Sequence, residues 1–202
     1  MSESADAASD EGTGRKVICG LGNPGQKFVG TRHNIGWEVL MQLRTRGGEP
    51  AVASKFEADL CEIRIGERPV LLAAPTTFMN LSGRSARKIV DFYKLEPDDL
   101  LVVCDDVNLD VGRLRLRGGG SSGGQNGLRN VCDALGTDQV PRLRVGVGRP
   151  ADNLPLVNHV LTHFKVSERA RMDEAVVDAA EVCELWVQQG LEKAQAVANA
   201  PG

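Results

Sequence analysis

Leu100 to Cys104 (LLVVC) is the most hydrophobic run in the chain, and it ends at Asp105-Asp106. A strand apolar at every position must be covered on both faces, so it belongs inside a sheet with helices above and below. Other segments supply the rest of such a sheet. Lys16 to Leu21 is a short apolar run ending next to glycines, and Ala58 to Ile65 alternates. Pro69 to Ala74 is apolar, and Gly66-Glu67-Arg68 reads as the hairpin connection between those two. Arg113 to Arg117 alternates Arg with Leu, which sends Leu114 and Leu116 inward and three arginines outward. Leu143 to Val147 is a further strand. Helical spacing runs from Asn34 to Leu43, from Ser82 (a candidate cap) to Tyr93, and from Asn126 to Leu135. Met172, Val176, Ala179, Cys183 and Trp186 stripe a long C-terminal helix. The order predicts one α/β domain over residues 15–202, a mixed twisted sheet flanked by helices, because the hairpin breaks strict alternation. Residues 1–14 are acidic and rich in Ala, Ser and Gly, and read as a disordered tail.

Charge is unevenly spread. Outside that tail the chain carries 24 bases against 23 acids. Residues 112–149 hold seven arginines against Asp133 and Asp138, whereas residues 167–202 hold seven acids against three bases. A basic middle beside an acidic end suggests a polyanion surface on one side, and the arginine fork fits phosphate oxygens. Five cysteines with no close pair exclude a disulfide framework and a zinc knuckle, and point to small buried residues in a reducing compartment. No run approaches the ~18 apolar residues of a membrane span. Neither a secretory signal nor a transit peptide is legible in the first fourteen residues.

Two glycine-rich segments follow strands. Gly20 to Gly25 (GLGNPG) fits the G-x-G-x-x-G dinucleotide pattern, but the next helix is delayed to about Asn34 and no convincing acid ends the following strand. A pyrophosphate site needs both, so the nicotinamide or flavin reading fails. Gly118 to Gly127 (GGGSSGGQNG) joins an arginine-bearing strand directly to a helix. Backbone amides of such a loop can approach an anion, and a mobile lid is the other role open to it.

Histidine is scarce, at positions 33, 159 and 163. His33 sits in Thr31-Arg32-His33-Asn34 at the mouth of a helix. Asn80 stands beside a helix start in FMNLSG, Asp105 ends the central strand, and Asn126 follows the second glycine segment in GQNG. GLGNPG, TRHN, TFMNLSG, DD, GGxNGL and RLRVGVGRP stand in this order over residues 16–150, and together they resemble the bacterial-type peptidyl-tRNA hydrolases.

That resemblance implies hydrolysis of the ester joining a peptide, or an N-blocked amino acid, to the 3′ ribose of tRNA, with no metal or organic cofactor. His33 falls on the family's general base and Asp105 on the carboxylate that orients it. Asn23, Asn80 and Asn126 fall on substrate-contacting asparagines; Asn23's position is linked to preferring blocked over free aminoacyl-tRNA. Phe78 matches a position lining the tRNA-end site, and Arg117 and Arg144 match positions that hold the terminal phosphate. The implied partner is peptidyl-tRNA, through its acceptor stem and 3′ end, and the implied protein is a cytoplasmic monomer that recycles tRNA. Phe28 replaces a tyrosine that contacts the nucleotide end, keeping stacking and losing a hydroxyl. Gln125 and Cys104 replace histidines before Asn126 and Asp105. Neither lost histidine is the base, so activity is expected to persist.

Other readings of the same residues compete. His159 and His163 are four apart and would share a face as metal ligands on a helix, though 157–161 reads as an irregular stretch. Asp105-Asp106 is compatible with a magnesium pair. A catalytically weak RNA-binding paralogue, acting as an RNA-processing partner, would keep much of the site. A hydrolase of small esters would not need the arginine strands.

Overall fold

The computed structural model describes residues 14–150 and 154–200. Nearly all of the expected tail therefore lies outside the described residues. Seven strands form one sheet in the order β2-β3-β4-β1-β5-β7-β6. Their ranges are β1 Lys16–Gly20, β2 Ala53–Lys55, β3 Ala58–Ile65, β4 Arg68–Pro75, β5 Leu100–Asp106, β6 Leu114–Arg117 and β7 Arg142–Gly146. β1, β4, β5 and β7 run parallel, while β2, β3 and β6 pair antiparallel at the two sides. The sheet is mixed, as the hairpin requires.

β5 is buried at every position because both of its faces are covered. Leu101 and Val103 face α1 (Ile35–Arg46), α5 (Val166–Gln189) and α6 (Leu191–Ala198). Leu100, Val102 and Cys104 face α2 (Ser82–Tyr93) and α3 (Asn126–Leu135). The predicted stripe of the C-terminal helix, from Met172 to Trp186, lies wholly in the first of these cores. Burial pushes the Cys19 thiol up to about 12 and raises those of Cys104 and Cys183, so these cysteines serve as small apolar side chains.

Several expectations need correction. Ser82 does not cap α2; its hydroxyl donates to the Met79 carbonyl at 2.9 Å. Arg113 is not an outward strand residue, since β6 starts at Leu114 and the Arg113 guanidinium reaches the Asn199 carbonyl. The stretch expected to be irregular forms the short helix α4 (Leu156–Val160). Gly190, at φ 84°, ends α5 and separates off α6.

Close backbone approach positions the future site. A Cβ on Gly20 would lie 2.4 Å from the Gly36 carbonyl oxygen, and one on Gly36 would lie 2.5 Å from that of Val103. α1 can thus start directly on the carboxyl ends of β1 and β5. This is where the chain reverses its direction of travel across the sheet, the place where open α/β sheets form clefts.

Candidate active site

Between β1 and α1 the chain makes two 3₁₀ turns, Gln26–Phe28 and Arg32–Asn34, and the second carries His33. The His33 Nδ1 lies 2.9 Å from both carboxylate oxygens of Asp105 at the end of β5. A carboxylate can only accept, so Nδ1 carries a proton, and in the neutral ring Nε2 keeps its lone pair. Asp105 is 3% exposed and His33 13%, so the ring separates the carboxylate from solvent. Both line a cleft of about 420 Å³ together with Asn23, Phe28, Phe78, Asn80 and Asn126.

Backbone contacts decide which way Asn23 points. The Asn34 side chain accepts from the Asn23 N–H at 2.9 Å and donates to its carbonyl at 3.0 Å, pinning the loop that follows β1. The Asn23 Oδ1 in turn accepts the Met79 N–H at 2.8 Å. With its oxygen occupied, Asn23 offers its NH2 end to the cleft, the orientation an oxyanion donor needs. Asn80 lies in the 3₁₀ turn Met79–Leu81, and Asn126 is the first residue of α3; both are exposed at the cleft wall. A Cβ on Gly127 would fall 2.3 Å from the Met79 sulfur, so that glycine lets the two segments meet.

The cleft does not gather Arg117 or Arg144 into its lining. The β6–β7 register places Arg115 opposite Arg144 and Arg117 opposite Arg142, so all four share one face of the sheet. Arg115 and Arg117 are exposed. Arg144 donates to Asp106 at 3.2 Å and to the Ser121 carbonyl. Arg142 is fully buried, and its guanidinium donates to the carbonyls of Gly120, Ser121, Asp138 and Val140. The glycine segment therefore turns carbonyls, not amides, toward these arginines, and the Gln125 side chain caps the start of α3.

Arg32 and Asn34 were not legible as structural partners of His33, although both stand in the TRHN motif. Arg32 is 3% exposed. It donates to the Val147 carbonyl at 2.9 Å and to Glu168 at 2.6 Å, joining the His33 turn to the start of α5. Burial raises the proton affinity of Glu168, but the Lys165 N–H and the Arg32 guanidinium outweigh it and hold the carboxyl below its ordinary range. A depressed carboxyl stabilises the fold above the unfolded pKa of ~4.3 and loses that contribution as pH falls through the folded value. Glu168→Ala is expected to cost ~3 kcal/mol near neutrality, because it strands a buried guanidinium. Urea melts at pH 7 and pH 3 check this: the deficit should shrink at the lower pH, and an equal deficit at both would refute the ion-pair account.

The two remaining histidines do not converge. His159 Nε2 lies 2.9 Å from the Gly148 carbonyl and His163 Nε2 3.0 Å from that of Val29. Asp105 and Asp106 diverge too, toward His33 and Arg144. Among the described residues no group of three or more His, Cys, Asp or Glu is placed to hold a metal ion.

A histidine whose free nitrogen faces a cleft, backed by a buried carboxylate and flanked by a carboxamide donor, can take a proton from water while holding charge on a carbonyl oxygen. That is hydrolase chemistry. The chain belongs to the peptidyl-tRNA hydrolase family, whose model matches residues 17–201. It is 44% identical over 185 residues to the peptidyl-tRNA hydrolase of Rhodopirellula baltica, covering 92% of this chain and 97% of that one. With that of Brevibacillus brevis it shares 45% over 178 residues, covering 88% and 94%. The crystal structure of peptidyl-tRNA hydrolase from Acinetobacter baumannii superposes with a TM-score of 0.86 at 33% identity, covering 93% of this chain and 95% of that one.

Proposed function

We propose that this chain performs its family's reaction, cleaving the ester between a peptide or N-blocked amino acid and the tRNA 3′ ribose, with His33 as base. The observation that carries this is the His33 Nδ1 contact to both oxygens of Asp105. Water attacks the ester carbonyl carbon and its proton passes to Nε2. Asp105 stabilises the imidazolium that forms, and the Asn23 NH2 group holds the negative charge on the tetrahedral oxygen. Collapse breaks the bond to the ribose oxygen, which takes the proton back from Nε2. Free peptide and tRNA result.

The remaining roles follow from position. Asn80 and Asn126 reach the cleft from two helix starts and suit a peptide backbone, which both donates and accepts. Phe28 and Phe78 offer ring faces to the terminal bases. Arg117 and Arg144 belong to the basic face and take the phosphates of the acceptor stem. The working unit is a cytoplasmic monomer that recycles tRNA. No described helix is long and apolar enough to cross a membrane.

The test is release of the blocked amino acid from N-acetyl-aminoacyl-tRNA, with free aminoacyl-tRNA alongside. Cleavage of the blocked substrate alone is expected. A wild type that binds tRNA and cleaves nothing would instead favour the RNA-binding paralogue, which would keep much of the same site. Arg117→Ala should raise KM, leave kcat in place and flatten the plot of log(kcat/KM) against log[salt] by about 1, the share of one phosphate contact. An unchanged slope would remove Arg117 from the tRNA surface.

A further inference from the structure

Gln125 touches the catalytic pair through Asp105, at an oxygen that also faces His33. Its Oε1 accepts the Leu128 N–H at 2.6 Å, capping α3. That bond fixes which end of the amide is which, so Nε2 must face Asp105, and it donates to Oδ1 at 3.0 Å. Among the described residues only His33 and Gln125 donate to Asp105. His33 has a single Nδ1 proton shared between two equidistant oxygens, and one donor on that axis leaves the carboxylate free to turn about its Cβ–Cγ bond. The second donor removes this freedom. Nε2 also lies 3.2 Å from the Met79 sulfur, and the Met79 N–H holds Asn23. One amide thereby touches the orienting carboxylate and the residue that holds Asn23.

We propose that Gln125 is a positioning residue that braces Asp105 against His33 and ties the pair to the start of α3. It touches no reacting atom. Its contribution is a fixed carboxylate plane, gained from an amide that cannot rotate without giving up its helix cap. The inference rests on the reading of His33 as base.

Gln125→Glu separates the two ends of the side chain. Glutamate keeps an oxygen for the Leu128 N–H but sets a second carboxylate oxygen against Asp105 where the donor was. The expected result is a kcat lower by roughly 10- to 100-fold, the usual effect of removing an outer partner from a functional side chain. KM should stay within about twofold of wild type, since Gln125 lines the cleft with both ends of its amide already engaged, on Leu128 and Asp105. Gln125→His, which restores an N–H donor, should recover most of the loss. In proton NMR the far-downfield His33 Nδ1 resonance should be sharp in wild type and shifted or broadened in Gln125→Glu. Gln125→Ala removes both ends and serves if the glutamate variant does not fold; it should lose the same resonance with a modest fall in Tm. Wild-type kcat together with an unaltered Nδ1 resonance in either variant overturns the proposal. A wild type without hydrolase activity would sink the functional reading alone, because the NMR comparison still decides whether Gln125 braces the pair.

Discussion

His33→Ala should leave the fold intact and lower kcat on N-acetyl-aminoacyl-tRNA by about 10³- to 10⁴-fold, the upper part of what a positioned general base contributes. The imidazole sits at the cleft wall and its polar contact is to Asp105, so its removal opens space at the surface and leaves the two cores untouched. The 3₁₀ turn that carries it is held by its neighbours, through the Arg32 and Asn34 side chains. Tm should therefore move little while single-turnover release of the amino acid nearly stops. KM should stay close to wild type, since the groups proposed to bind tRNA and peptide all remain. Residual activity above a tenth of wild type would show that another group takes the proton from water.

Asp105→Asn is the subtler change, and its expected loss is about 10⁴-fold, as for other His–carboxylate pairs put into the wrong tautomer. The native carboxylate has both oxygens in reach of His33 Nδ1 and accepts from Gln125 through Oδ1. An amide has a single accepting oxygen, so an NH2 takes one of the two places facing Nδ1. If its NH2 turns to His33, Nδ1 must give up its proton and Nε2 becomes N–H, which is no base. If its NH2 turns to Gln125, two donors face each other and the brace is lost. The measurement is kcat together with the imidazole tautomer by 15N NMR. A variant within about tenfold of wild type with Nε2 protonated would contradict the proposed direction of proton transfer.

The sheet was readable because its strands are runs of apolar or alternating residues long enough to show a period. β2 escaped because its three residues, Ala53–Lys55, are all exposed and carry no pattern. α6 was hidden because the apolar stripe continues past Gly190, and only a positive φ there divides the helix. The site was legible by kind but not by support. Motif order located His33, Asp105 and the asparagines in the resemblance, yet nothing local says that Asn34 will pin the Asn23 backbone from eleven residues away. Arg142 is the clearest case. In the string RLRVG it cannot be told from Arg144, and its complete burial depends on carbonyls supplied by residues 120, 121, 138 and 140. Burial pulls its pKa down from the usual arginine value, a cost visible only once the loop is folded over it.

The strand order also sets a timetable for the growing chain. Among the described strands β1 leaves the ribosome first, yet it ends in the middle of the sheet, between β4 and β5. Until residue 106 has emerged, one edge of β1 has no partner, an interval on the order of ten seconds at ordinary elongation rates. An unpaired apolar strand is a template for wrong pairing, so early nascent chains of this protein are candidates for chaperone capture. His33 likewise waits for a carboxylate 72 positions downstream and for the brace twenty residues beyond that. A product that terminates before α3 is complete thus holds the base without its setting. The proposed hydrolysis is, in this fold, available only from a chain synthesised through the end of α3.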